Sequence, residues 1–285
     1  MHKTYIATPI WRYYDVRAAH SLVAAIASRD PEEDIWWESI DGDALISRTR
    51  SQLATKFITE PELTDFDVMV ILDDDVQFWP DDLYKLTRLA REKQEPVGGI
   101  YVTRSREPHP ASMFWPGQSV TFGPGQEPVT VRYLATGFMA IPKRVIETVL
   151  THPGFETVHG PERIVYCEQG VGDIPMYDFF RPFCINEGPT LQRAGYNVDD
   201  KRVHYLSEDW AFCERARQCG FQIWADPSII LQHRATVSVT VADLGVKTGM
   251  LSADGAAGKG RSVLVVKGKE IGSQQDELVT TTQKP

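Results

Sequence analysis

The sequence predicts an α/β fold with a mostly parallel central sheet flanked by helices, and three observations predict it. Short apolar runs alternate with helical patterns through residues 1 to 150, as repeated strand–helix units require. Asp67-Val68-Met69-Val70-Ile71-Leu72 is a continuous apolar run with acidic residues at both ends, which suits a central strand buried on both faces. Pro80-Asp81-Asp82 then sets a proline and two carboxylates where a helix N-terminus favours them. With 285 residues, 42% hydrophobic and 24% charged, the chain is long enough for a sizeable core as one large domain, alone or with an appendage. Wholesale disorder and collagenous or repeat architectures are excluded.

Taken in order, Tyr5-Ile6-Ala7 reads as the first strand, ending at Thr8-Pro9. Asp15 opens a helix whose apolar positions are Val16, Ala19, Val23 and Ile26. Ile35-Trp36-Trp37 reads as a second strand and Ile46 to Ile58 as a second helix. The helix begun at Pro80 carries Leu83, Leu86 and Leu89 on one side, and Val97 to Tyr101 is the next strand. Residues 104 to 130, rich in proline and glycine, read as hairpins and loops. Tyr133 to Ile141 returns to an apolar strand and Lys143 to Leu150 to a helix. Residues 152 to 190 are loop-rich, with Tyr166, Tyr177, Phe179, Phe180 and Phe183 as candidates to line a pocket. The helix from Ser207 to Cys219 has Ser207 as its N-cap and Gly220 just past its end. Phe221 to Trp224 and Ser228 to Leu231 read as short strands. From residue 241 the tail is rich in Gly, Ser, Thr and Lys, so weak order is expected there, apart from one strand at Ser262 to Val266. No internal repeat is present.

Charge narrows the partners. Lys+Arg number 30 against 39 Asp+Glu, a net charge of −9, which argues against a non-specific grip on nucleic acid or anionic membrane. A local basic strip remains open through Arg48, Arg104, Arg106 and Lys143. Cys167, Cys184, Cys213 and Cys219 include no CxxC pair, so reduced, mostly buried thiols are expected rather than a zinc ribbon or disulfide framework. MHKTYIATPIW has no charged leader before a long apolar stretch, and no run of about 18 apolar residues occurs. No transmembrane segment is expected, and the cytoplasm is the default compartment.

Four constellations can carry chemistry. Asp73-Asp74-Asp75 stands directly at the carboxyl end of the central strand, where open α/β sheets bind ligands. Two such charges ~5 Å apart repel by on the order of 3 kcal/mol at an effective dielectric near 20. A divalent cation, Mg²⁺ or Mn²⁺, removes that cost; a solvated acidic turn before the next helix is the alternative. Strand alternation pairs Asp73 with Asp75 and sends Asp74 to the other side. Glu208 and Asp209 open the late helix, where they complement its dipole or present a general base to a cleft. His233, after Ile229-Ile230-Leu231, is a hydrogen-bonded structural residue or a ligand. Arg48 and Arg50 oppose the dipole at their helix start, which an anionic partner would explain. P-loop, GxGxxG and GxSxG patterns are missing, against P-loop NTPases, dinucleotide enzymes and α/β-hydrolases.

Tyr5–Pro9, SRTRSQLATKF (47–57), VMVILDDDVQFWP (68–80), VGGIYVTR (97–104), ATGFMAIP (135–142) and LSEDWAFCERARQCGFQIWADPSIILQH (206–233) resemble, in that order, the GT-A-fold glycosyltransferases, especially family-2-like proteins of bacteria and phages. The resemblance covers roughly residues 3 to 235. It implies a GT-A-like domain over 1–240, with a nucleotide-sugar half at about 1–105 and an acceptor half at about 106–240. Residues 241–285 would be a C-terminal extension, weakly ordered or a small β appendage.

The resemblance also implies roles. Asp73 and Asp75 match the DxD motif and would hold a divalent metal, Mn²⁺ or Mg²⁺, with His233 as a further ligand. Thr8 and Pro9 match the nucleotide-binding edge, Arg50 an arginine near the nucleotide or its phosphates, and Asp74 belongs to the same donor site. Gly137 and Phe138 would sit beside the donor sugar. Glu208 and Asp209 match the catalytic acidic pair, with Asp209 as base in an inverting single displacement; a retaining route stays open. The expected activity is transfer of a sugar from a nucleotide-sugar to a hydroxyl acceptor: a glycan, a protein, a small molecule or a modified base of phage DNA. For a phage protein, the compartment would be the host cytoplasm. Arg234 stands where the family often has glycine, and residues 236 to 285 match no family segment.

Three other readings compete. Strand–DDDV resembles the haloacid-dehalogenase motif, but Gln77 stands where Thr or Val is required and the strand is the third, not the first. A sugar-1-phosphate nucleotidyltransferase normally has a Gly-rich basic N-terminal loop, unlike TPIWRYYDVR. A sugar-nucleotide-binding module without turnover would not need Asp73, Asp75, Asp209 and His233 together.

Overall fold

In a computed structural model, residues 1–28, 32–104, 109–168, 173–197, 201, 203–234, 238–240, 263–267 and 278–281 are described. The first half of the chain builds β1 (His2–Ile10), α1 (Val16–Ala27), β2 (Glu33–Asp41), α2 (Ile46–Thr59) and β3 (Val68–Leu72). A two-residue strand β4 (Val76–Gln77), α3 (Pro80–Lys93) and β5 (Val97–Ile100) follow. Every residue of β3 is buried, as its unbroken apolar sequence requires.

Next come β6 (Ser119–Phe122), β7 (Val129–Thr130), β8 (Phe138–Pro142), α4 (Lys143–Thr151) and α5 (Pro153–His159). Two antiparallel pairs follow, β9 (Val165–Glu168) with β10 (Asp173–Met176) and β11 (Phe183–Asn186) with β12 (Val203–Leu206), and α6 (Gly188–Arg193) lies between β11 and β12. Then follow α7 (Glu208–Gln218), β13 (Trp224–Ile230), β14 (Gln232–Arg234) and β15 (Ser238–Thr240). The central sheet has seven strands in the order β2-β1-β3-β8-β5-β13-β7. It is mostly parallel: only β8 and β7 run against the rest.

The reversal of β8 has a simple origin. Between β5 and β8 the described residues, 101–104 and 109–137, include β6 and β7 but no crossover helix. The chain therefore re-enters beside Leu72, with Leu72 opposite Phe138, and runs back down. The strand is shorter than the Tyr133–Ile141 expected, because a turn at Thr136-Gly137 precedes it.

Helix α1 packs on a different face from the one its valines suggested. Ala18, Ser21, Leu22 and Ala25 are buried, while Val16 and Val23 are exposed. The Asp15 carboxylate accepts from the N–H groups of Arg17 and Ala18, and the Asp15 N–H donates to Asp74 O at 2.8 Å. Ser21 Oγ accepts from Phe78 N at 3.2 Å. Those bonds fix the rotation of α1, and the small side chains allow the close approach.

Several local expectations change in the second half. Phe179 and Phe180 are fully buried, with Phe180 stacked on Phe212 of α7 at 4.7 Å; they fill core rather than line a pocket. Phe183 lines a small separate cavity of about 180 Å³ with Phe155 and Arg215. In place of the short strands expected at Phe221–Trp224 and Ser228–Leu231 there is one bulged strand, β13, from Trp224 to Ile230. The cysteines are free, but only Cys213 is buried. Beyond β15, β16 (Val263–Lys267) pairs antiparallel with β6 and with β17 (Leu278–Thr281), matching the expected strand; residues 241 to 262 lie outside the described residues. Among the described residues, no helix is long and apolar enough to cross a membrane.

Candidate active site

The carboxyl ends of β1, β3, β5 and β13 meet on one side of the sheet, where ligands of open α/β sheets bind. Asp73, Asp74 and Asp75 form a turn between β3 and β4. Strand alternation therefore does not apply, and all three carboxylates line one cleft of about 1220 Å³. Its other walls are Pro9 to Val16, Asp43, Ala44, Ile46 and Arg104. Burial, then Asp75 and Asp73, push the Asp74 carboxyl up to about 6.

Gly137 and Phe138 have different surroundings: Gly137 packs against the acidic turn and Phe138 lies in the core. Gly137 O accepts from Asp73 N at 3.0 Å, and Gly137 N donates to Tyr101 Oη at 3.0 Å. A Cβ on Gly137 would stand 2.6 Å from Tyr101 Oη and 2.8 Å from Asp73 Oδ2, so any side chain here must displace one of them. Phe138 is wholly buried, 4.9 Å from the Phe78 ring, and packs the floor beneath the turn. Tyr101 was not anticipated as a site residue. Its hydroxyl is held well above the ordinary phenol range by burial and then by Asp73.

Arg50 is 3% exposed. It donates to Asp73 Oδ1 at 2.7 Å and to Glu208 Oε1 at 2.9 Å. Burial opposes its charge, but Asp73 and Glu208 outweigh that and hold the guanidinium protonated. Its helix start thus has the anionic partners expected, although they are carboxylates of this chain. Glu208 is paired with Arg50. Arg48 is likewise satisfied within the chain, by a two-pronged ion pair with Asp43 at 2.6 Å on each prong.

Asp209 lies one residue beyond, in the first turn of α7. Ser207 Oγ does not cap the helix backbone but donates to Asp209 Oδ1, which also accepts from Trp210 N at 2.8 Å. Oδ2 carries no hydrogen bond among the described residues. Burial, then Glu208, push the Asp209 carboxyl up to about 6. It is therefore a base available near neutral pH. Glu208 and Asp209 do not line the cleft of the acidic turn directly; Arg50 is their connection to it.

His233 reaches the site through strand pairing. β14 lies antiparallel to β4 with His233 opposite Val76, which places the imidazole beside Asp75. Its Nδ1 is 2.9 Å from Val102 O. A carbonyl only accepts, so Nδ1 carries a proton; Nε2 accepts from Arg104 Nε, so it presents a lone pair. Nε2 stands 3.4 Å from Asp75 Oδ1, a buried oxygen without a hydrogen bond among the described residues. Two acceptors face each other, and Arg104 answers both: its Nε donates to His233 Nε2 at 2.8 Å and its Nη2 pairs with Asp75 Oδ2. Among the described residues no group of three or more His, Cys, Asp or Glu could hold a metal ion; the Asp75 carboxylate and His233 Nε2 are two donors close enough to share a cation, a mixed oxygen and nitrogen pair that suits Mn²⁺ better than Mg²⁺.

The remaining expected residues separate. Pro9 lines the cleft, but Thr8 is fully buried and accepts from Trp37 Nε1 at 3.1 Å. The basic strip does not assemble among the described residues. Arg48 faces Asp43, Arg104 faces Asp75, and Lys143 donates to Leu63 O and Thr64 O; Arg106 lies outside the described residues.

No protein-family profile matches the chain, and no curated protein matches it. Among solved structures, the chain is similar to A197 from STIV, with 14% sequence identity and a TM-score of 0.47 over 82% of this chain and 86% of that one.

Proposed function

We propose that this chain is a metal-dependent glycosyltransferase with a GT-A-like fold, moving a sugar from a nucleotide-sugar donor to a hydroxyl acceptor by inverting single displacement. The observation that carries this reading is Arg50, which ties the acidic turn after β3 to the acidic pair at the start of α7. One element would hold the donor's diphosphate and the other would deprotonate the acceptor, and a single buried cation keeps them in register.

In this reading Asp75 and His233 would hold the divalent cation at the edge of the cleft, while Asp73 stays paired with Arg50. When bound, that cation supplies Lewis-acid neutralisation of the leaving diphosphate. The cleft between Pro9–Val16 and the acidic turn, about 1220 Å³, has room for a nucleotide and a sugar. Asp209 takes the acceptor hydroxyl proton on Oδ2 as the acceptor oxygen bonds the anomeric carbon. The bond from that carbon to the diphosphate oxygen breaks, and its electron pair leaves with the nucleoside diphosphate. Ser207 and the Trp210 N–H hold the other carboxylate oxygen, so Oδ2 keeps a defined direction. Glu208 and Arg50 position Asp209 and Asp73 without touching the reacting atoms.

The test is a panel of nucleotide-sugars with Mn²⁺, scored for released nucleoside diphosphate and for labelled product with hydroxyl acceptors. Asp75→Asn is expected to abolish Mn²⁺-dependent nucleotide binding. Metal-dependent binding without turnover of any donor would instead favour a binding module.

A further inference from the structure

We propose that Arg104 is a tethered counter-cation that occupies the Asp75–His233 site until a divalent cation displaces it, and that the released guanidinium then serves the diphosphate. This inference rests on the reading of that site as a metal site. Three observations carry it. Arg104 bridges the Asp75 carboxylate and the unprotonated nitrogen of His233, the two groups that would bind the ion. The same short segment supplies Val102 O, which sets the His233 tautomer, so one stretch of chain prepares the lone pair and covers it. Arg104 is also half-exposed and lines the cleft, with its side chain 51% accessible. It can leave its partners without opening the core.

The physical logic is one of competing charges. A buried carboxylate oxygen facing an imidazole lone pair is costly with no positive charge near it. Arg104 removes that cost in the empty site with charge-assisted hydrogen bonds. Any ion taking the same two ligands must break those bonds, so Arg104 lowers the apparent affinity for bare ions. Once freed beside the cleft, an arginine is well matched to phosphate oxygens. The chain would thus favour a metal that arrives with a diphosphate over the metal alone.

Titration of Mn²⁺, followed by the electron paramagnetic resonance signal of the free ion, tests this directly. Arg104→Ala is expected to bind bare Mn²⁺ about tenfold more tightly than the parent, the size of a lost charged hydrogen-bond pair. Inorganic pyrophosphate with saturating Mn²⁺ should bind Arg104→Ala about tenfold more weakly, with Arg104→Lys between the two. Unchanged or weaker Mn²⁺ binding by Arg104→Ala, with Asp75→Asn having lost it, overturns the role of Arg104 alone. Mn²⁺ binding by Asp75→Asn equal to the parent's overturns the metal site itself and this inference with it.

Discussion

Arg50 and Asp73 form a buried ion pair at 2.7 Å, and the same guanidinium reaches Glu208 at 2.9 Å. Two acidic segments far apart in the chain are thereby held by one side chain that solvent scarcely touches. Removing it leaves two carboxylates without their counter-charge in a poorly solvated place.

Arg50→Met is therefore expected to destabilise the fold by about 3 kcal/mol or more, the range for breaking one side of a buried ion pair. Arg50→Lys keeps the charge but not the fork that serves two carboxylates, and should recover only part of the loss. Urea unfolding of the three proteins measures both differences. Equal stability of Arg50→Met and the parent would show that the bridge contributes nothing.

Asp209→Asn keeps an oxygen to accept from Ser207 and Trp210 but cannot take a proton. Transfer should fall by about 10²–10⁴-fold, the span of general-base contributions, with donor binding unchanged. In the parent, kcat should rise with pH through about 6, where Asp209 ionises. A flat profile between pH 5 and 8 would remove Asp209 from the base role.

The same residue links stability to pH. Its folded pKa of about 6 lies above the ordinary 3.8, so folding favours the protonated form. That contribution is fully present below the ordinary carboxylate pKa and is lost as pH rises through about 6. Asp209→Asn should therefore gain on the parent between pH 4 and pH 8, by on the order of 2 kcal/mol at the upper end. Thermal unfolding at the two pH values checks the sign.

Gly137→Ala places a methyl group where Tyr101 Oη and Asp73 Oδ2 already stand. A cost of about 1–3 kcal/mol is expected from overpacking, together with weaker Mn²⁺ binding as the acidic turn is pushed aside. Parent-like values in both unfolding and Mn²⁺ titration would mean the turn has slack that its contacts do not suggest.

Phe212→Ala removes one ring of the buried Phe180–Phe212 stack and should cost about 3–5 kcal/mol in urea unfolding. Tyr166→Ala, at a 62% exposed position, should change stability by no more than about 0.5 kcal/mol. The contrast separates the aromatics of this region that hold the core from those that merely face solvent.

The sequence by itself determined the elements whose signals are local. An unbroken apolar run dictates a strand buried on both faces, an aspartate before a helical pattern dictates its start, and a glycine after α7 its end. The acidic turn was legible for the same reason, since three carboxylates at a strand end are costly unless something binds them. Long-range pairing carries no such local signature. The reversal of β8 depends on how the chain passes from β5 to β8, and the rotation of α1 on bonds to Asp74 and Phe78 that its own periodicity cannot report. Only the tertiary structure decided that β4 and β14 pair and bring His233 to Asp75. It alone showed that Arg50 joins Asp73 to Glu208 and that Phe138 is wholly buried against Phe78. Arg104, read first as part of a basic surface, became the cation of the acidic site, because charges are neutralised by whichever group the fold brings nearest.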